Sequence, residues 1–155
     1  MCNHGRTGPG GSRIRQDGTS RGEQRRARVE RGRYGEPETF SMLTVLQDHV
    51  VVIHMYGELD LIAAPALRAR LAEAVGLRNP PRIVVDAEAL TFCDSTGLSV
   101  LMGALPAVRS VGGDLALSNA HGRFARMLRI TGLDSELPVH DSVASAAAFL
   151  TGPEA

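Results

Sequence analysis

Tryptophan is absent, and two Tyr and four Phe make aromatics only 4% of the 155 residues. A sheet that stacks nucleobases needs an aromatic platform, so that mode of recognition is disfavoured, and Ala, Val and Leu must supply most of any core. Cysteine is as scarce: Cys2 and Cys93 stand far apart and suggest neither a disulfide framework nor a zinc ligand set, which fits a reducing cytoplasm. No apolar run approaches the roughly eighteen residues of a membrane span, and the N-terminus lacks the apolar stretch of a secretory signal. Phosphate-cradling glycine loops of the Walker or dinucleotide type are missing. His4, His49, His54, His121 and His140 keep no ligand spacing. No metal or cofactor is expected.

What is present divides unevenly. The apolar fraction of 43% is ordinary for a globular chain, and the length suits one domain with a single core. Formal charge sums to zero, but residues 1–39 carry nine Arg against five acids (+4), whereas 40–155 carry eight Arg against twelve acids (−4). The first segment is rich in Gly, Arg, Ser and Gln and has almost no apolar periodicity. It reads as a disordered arm that cannot bury enough surface to offset the entropy of ordering. The folded part, 40–152, is mildly acidic, which argues against nucleic acid as its direct partner.

From Met42, also a plausible alternative start, strand-like and helix-like patterns alternate. Met42–Gln47 and Val50–Tyr56 read as a hairpin turning at Asp48-His49 and ending at Gly57. Pro65 opens a helix with Leu67, Leu71 and Val75 on one face and Gly76 as its stop. Ile83, Val84 and Val85, within 82–86, form the continuous apolar run of a strand covered on both faces. A loop is expected from Ala87 to Cys93. A helix follows with Leu98, Leu101, Met102, Leu105 and Val108 in register, Asp94 or Ser95 at its N-cap, and a kink or early end at Pro106. Asp114–Ser118 is a further strand. Gly122–Thr131 is a helix with Phe124, Met127, Leu128 and Thr131 on one face and Gly132 as its cap. A brief strand at Leu137–His140 and a helix over Ser142–Leu150, with Val143, Ala147 and Leu150 inward, complete the order β-β-α-β-α-β-α-β-α. That order implies an α/β domain with a mixed, mostly parallel sheet of about five strands.

The densest polar cluster at an element junction is Phe92-Cys93-Asp94-Ser95-Thr96-Gly97-Leu98. At a helix start the Ser95 hydroxyl can stay exposed beside backbone N–H groups that lack intrahelical partners. Gly97 costs about 1 kcal/mol of helix propensity, which a docking surface needing close backbone approach would justify. Against this stands the plain alternative that Ser or Asp before a helix is only a cap. A nucleophile elbow is half present: Cys93 holds the first glycine position of that motif, so a small hydrolase using Ser95 is the weaker reading. Cys93 beside Asp94 is expected to be an inert thiol, and Arg123, Arg126 and Arg129 the solvated face of their helix.

These residues resemble a known family, the STAS-domain anti-sigma factor antagonists. Asp94-Ser95-Thr96-Gly97-Leu98 after Ile83-Val84-Val85-Asp86 is similar to the family's signature at the start of a helix. Gly57-Glu58-Leu59-Asp60 ahead of Ala64-Pro65 is similar to its turn into the first helix, and Arg126 to Leu133 to its third helix and exit. The likeness spans Met42 to Leu150. It implies a non-enzymatic cytoplasmic switch: unphosphorylated protein binds an anti-sigma factor with serine kinase activity and frees a sigma factor. Phosphorylation of Ser95 ends binding, and a PP2C-type serine phosphatase restores it. Asp60, Asp94, Ser95, Thr96, Gly97 and Leu98 would form the partner-binding surface. Ser99, Cys93 and Pro106 depart from the family pattern. The alternative that keeps the fold is a scaffold subunit of a larger signalling or transport assembly without kinase control.

Overall fold

The computed structural model describes residues 39–152. The arm expected over 1–39 lies outside the described residues except for Thr39. Strands β1 (Ser41–Gln47) and β2 (Val50–Leu59) form the expected hairpin, with Gln47 opposite Val50 and Asp48 at a φ of +47°, a left-handed value Asp tolerates. Helix α1 (Ala64–Val75), β3 (Arg82–Cys93), helix α2 (Ser95–Ser110), β4 (Asp114–Ser118), helix α3 (Gly122–Thr131), β5 (Val139–His140) and helix α4 (Val143–Thr151) follow, with one 3-10 turn at Leu133–Ser135. The sheet order is β1-β2-β3-β4-β5; β1 runs antiparallel to β2 and the other pairs are parallel.

Side chains alternate between the two faces of the sheet, and each face has its own core. Val51, Ile53, Met55, Ile83, Val85, Leu115 and Leu117 meet the buried faces of α1, α2 and α3, including Leu67, Leu71, Leu101, Leu105 and Leu128. Val50, Val52, Val84 and Ala116 face the other way and meet α4 through the fully buried Ala146, with Val143, Ala147 and Leu150 partly buried around it. Ala146 was not among the inward positions expected for that helix.

Four boundaries differ from the sequence expectation. The segment 87–93 is not a loop but the second half of β3, paired with β2 as far as Leu59 opposite Cys93. The register slips between His54 and Tyr56 and again between Gly57 and Glu58. Ala87, Leu90 and Cys93 therefore face the core at every third position, and the two-residue alternation that marks a strand is lost. Gly57 does not end β2. Its φ is +90°, and a Cβ there would stand 2.5 Å from the Thr39 carbonyl oxygen, so the glycine admits a neighbouring backbone inside the strand. Pro106 neither ends nor splits α2: it is exposed, and the buried Leu105 and Val108 hold the helix to the sheet across the missing hydrogen bond. Leu137 is buried ahead of β5 rather than within it.

Candidate functional site

Parallel strands β2 and β3 end side by side, and the chain leaves them through Asp60 and Asp94. Asp94, in extended conformation, is the N-cap of α2: its Oδ1 accepts from Gly97 N at 2.9 Å. Its Oδ2 accepts from Leu61 N at 3.1 Å, and its own N–H donates to the Leu59 carbonyl at 3.1 Å. One carboxylate thus caps the helix and ties it to the β2–α1 loop. Asp60 serves the other helix: Oδ1 accepts from Ile62 N at 3.1 Å and Ala63 N at 3.0 Å, which supplies the cap that Ala63 lacks.

Ser95 is the first residue of α2 and is exposed; among the described residues its hydroxyl has no hydrogen-bond partner and no titratable base touches it. Thr96 and the two aspartates are partly exposed. Gly97 and Leu98 are different, because both are buried. A Cβ on Gly97 would stand 2.5 Å from Leu59 Cγ and 3.0 Å from the Leu59 oxygen. The close approach that this glycine permits is therefore to the chain's own β2, not to a docking partner. Gly97 and Leu98 shape the surface from beneath, while Asp60, Asp94, Ser95 and Thr96 present it.

Two further titratable groups carry shifted values, Cys93 beside this surface and Asp86 well back along β3. Burial, reinforced by the Asp94 charge, pushes the Cys93 thiol up to about 12, so it is un-ionised at neutral pH and a poor nucleophile. On the second face of the sheet, Asp86 stands in register with His54 and Ser118. Its Oδ2 accepts from His54 Nδ1 at 2.8 Å, and its Oδ1 from Asn119 Nδ2 at 2.8 Å and Ser118 Oγ at 3.0 Å. Burial raises the Asp86 carboxyl, but the bonds from Asn119, His54 and Ser118 outweigh it and hold the group below its ordinary value. Sequence reasoning missed this network, since its members lie 32 or 33 residues apart and share no local motif. Ser118 donates to the carboxylate rather than to His54, so no histidine activates it. Sequence reasoning also passed over Leu61 and Ile62, which are apolar residues in a loop and 67% and 86% exposed. Among the described residues no group of three or more His, Cys, Asp or Glu is placed to hold a metal ion, and no helix is long and apolar enough to cross a membrane.

The site is thus an exposed serine at the capped start of a helix, on a small mixed sheet. The STAS domain pattern matches residues 41–146, and the chain belongs to that family. It is 30% identical over 97 residues to the anti-sigma F factor antagonist of Paenibacillus polymyxa, a match covering 63% of this chain and 83% of that protein. The crystal structure of an anti-sigma factor antagonist from Mycobacterium paratuberculosis is similar with a TM-score of 0.64 and 26% identity, over 74% of this chain and 96% of that one. The Bacillus cell fate determinant SpoIIAA in its phosphorylated form is similar with a TM-score of 0.55 and 25% identity, over 72% and 98%.

Proposed function

We propose that the chain is an anti-sigma factor antagonist of the partner-switching kind, acting in the cytoplasm. Its unmodified form binds an anti-sigma factor with serine kinase activity and releases a sigma factor. The kinase transfers the γ-phosphoryl group of ATP to Ser95 Oγ, and binding is lost. A PP2C-type serine phosphatase removes the group. The observation that carries this reading is the exposed Ser95 hydroxyl at the first position of α2, flanked by Asp94 and tied through it to the β2–α1 loop. The antagonists similar in sequence and the phosphorylated SpoIIAA support it.

Phosphorylation adds about −1.5 to −2 charges at neutral pH. The helix N-terminus returns only about 0.3 to 1 kcal/mol of attraction, and Asp94 stands next to the new charge. A hundredfold loss of affinity requires about 2.8 kcal/mol, within the cost of desolvating an unpaired charge in an interface. In a binding titration against the anti-sigma kinase, Ser95→Ala is expected to match the wild type and to resist phosphorylation, while Ser95→Asp binds at least about tenfold more weakly. Equal affinity of the two variants would refute the switch.

A further inference from the structure

Leu61 and Ile62 lie in the four-residue connection from β2 to α1, beside the Ser95 surface, and display 67% and 86% of their area to solvent. The connection is tightly held. Asp94 Oδ2 takes Leu61 N, Asp60 Oδ1 takes Ile62 N and Ala63 N, and the Asp60 carbonyl takes Ala64 N at 2.9 Å. A surface turn without a partner has no need of adjacent aliphatic residues, and polar turn formers would fill it more favourably. Isolated exposed aliphatics are commonplace: Ile130, one residue from the C-terminal end of α3, is 75% exposed between Arg129 and Thr131, with no second aliphatic next to it. At 61–62 two neighbours have their backbone held by two carboxylates, Leu61 N by Asp94, which also caps the Ser95 helix, and Ile62 N by Asp60, so much of the backbone ordering cost is met before any partner arrives.

We infer that Leu61 and Ile62 are the hydrophobic anchors through which the unphosphorylated chain holds its anti-sigma partner. The partner contributes an apolar pocket with a basic rim, complementary to Asp60 and Asp94, whose carboxylates hold the pair's backbone. This rests on the reading of Ser95 given above and adds a division of labour. The anchors supply attraction by burying apolar surface, and Ser95 supplies the charge that cancels it.

The test uses the full-length chain and, as probes, the anti-sigma serine kinases of the source organism, each titrated calorimetrically. Ile62→Ser and Leu61→Ser are expected to bind about 10- to 100-fold more weakly than wild type, Ile130→Ser within about twofold of it, and all three to keep the wild-type thermal midpoint because the side chains are exposed. Phosphorylation of Ser95, followed by mass spectrometry, should slow in the two loop variants at low kinase concentration and recover at high concentration. Wild-type affinity in both loop variants overturns the inference. Sedimentation that finds a wild-type dimer abolished by Ile62→Ser assigns the pair to a second copy of the chain and overturns it too. Binding lost in the loop variants but unaffected by Ser95→Asp keeps the anchors and removes the switch; no binding by the wild type removes both.

Discussion

Helix α2 holds two glycines whose replacement by alanine should act in opposite directions. In Gly97→Ala the helix gains up to about 1 kcal/mol of propensity, less in the first turn than in the interior. Against this, the new methyl would lie 2.5 Å from Leu59 Cγ, 2.9 Å from Leu59 Cδ2 and 3.0 Å from the Leu59 oxygen. Leu59 is fully buried, its Cγ is a branch point rather than a mobile tip, and its carbonyl accepts the Asp94 N–H, so neither atom yields without disturbing the cap. Overpacking of this kind costs about 1 to 3 kcal/mol, which exceeds the gain, and a net loss of about 1 to 2 kcal/mol is expected. Gly103, six residues further along the same helix and exposed, would place its Cβ with nothing within 4 Å, so Gly103→Ala should stabilise by about 0.5 to 1 kcal/mol. For a domain of this size each kcal/mol moves the thermal midpoint by roughly 3 to 6 °C. Thermal melts of the two variants by circular dichroism should therefore bracket the wild type. If Gly97→Ala melts at or above the wild-type temperature, the close approach of α2 to Leu59 is not a constraint and the account of Gly97 fails.

The other predictions concern two carboxylates, Asp86 within β3 and Asp94 at its exit. Asp86 has a native value held below the ordinary 3.8, so its stabilisation is complete above that value and is lost as pH falls through the native one. Asp86→Asn should flatten the loss of stability as pH falls below the ordinary 3.8 in urea melts, whereas an unchanged acid limb would show that the network contributes nothing. Asp94→Ala removes the N-cap of α2 and the tie to Leu61 together, and chemical denaturation should show a loss of about 1 to 2 kcal/mol, beyond what Thr96→Ala costs.

Much of the fold was legible because helices and hairpins write themselves locally. Leu67 and Leu71, Leu101 and Leu105, and Phe124 and Leu128 are spaced by one helical turn, and each pair is buried. The second half of β3 was not legible, since two register slips replace the strand's two-residue period with a three-residue one that resembles neither template. At the site, Asp94 and Ser95 stand where the motif put them. The burial of Gly97 against Leu59 depends on how β2 ends, which no spacing within 93–98 encodes. His54, Asp86 and Ser118 meet only through strand pairing. Leu61 and Ile62 were overlooked for a different reason: searching loops for polar chemistry passes over apolar residues whose importance is that they fail to be buried.

The proposed charge switch would demand rigidity at the place where the charge is added, and three links hold the start of α2. Asp94 N donates to the Leu59 oxygen, Asp94 Oδ2 accepts from Leu61 N, and Gly97 lets the first turn of α2 lie directly against Leu59. Were the helix start free to swing, a phosphate on Ser95 could leave a partner's contact surface while the rest of the interface stayed shut. Releasing it would break two hydrogen bonds, each with a net contribution of about 0.5 to 1.5 kcal/mol, and expose part of the buried Leu59 and Leu98, at about 25 cal/mol per Å² uncovered. The two bonds alone come to about 1 to 3 kcal/mol, the same order as the roughly 2.8 kcal/mol that separates a bound complex from one a hundredfold weaker. Under the proposed switch, a phosphorylated chain would then have no easier route than to leave its partner, and modification of one hydroxyl would act as an on-off signal without any rearrangement of the fold.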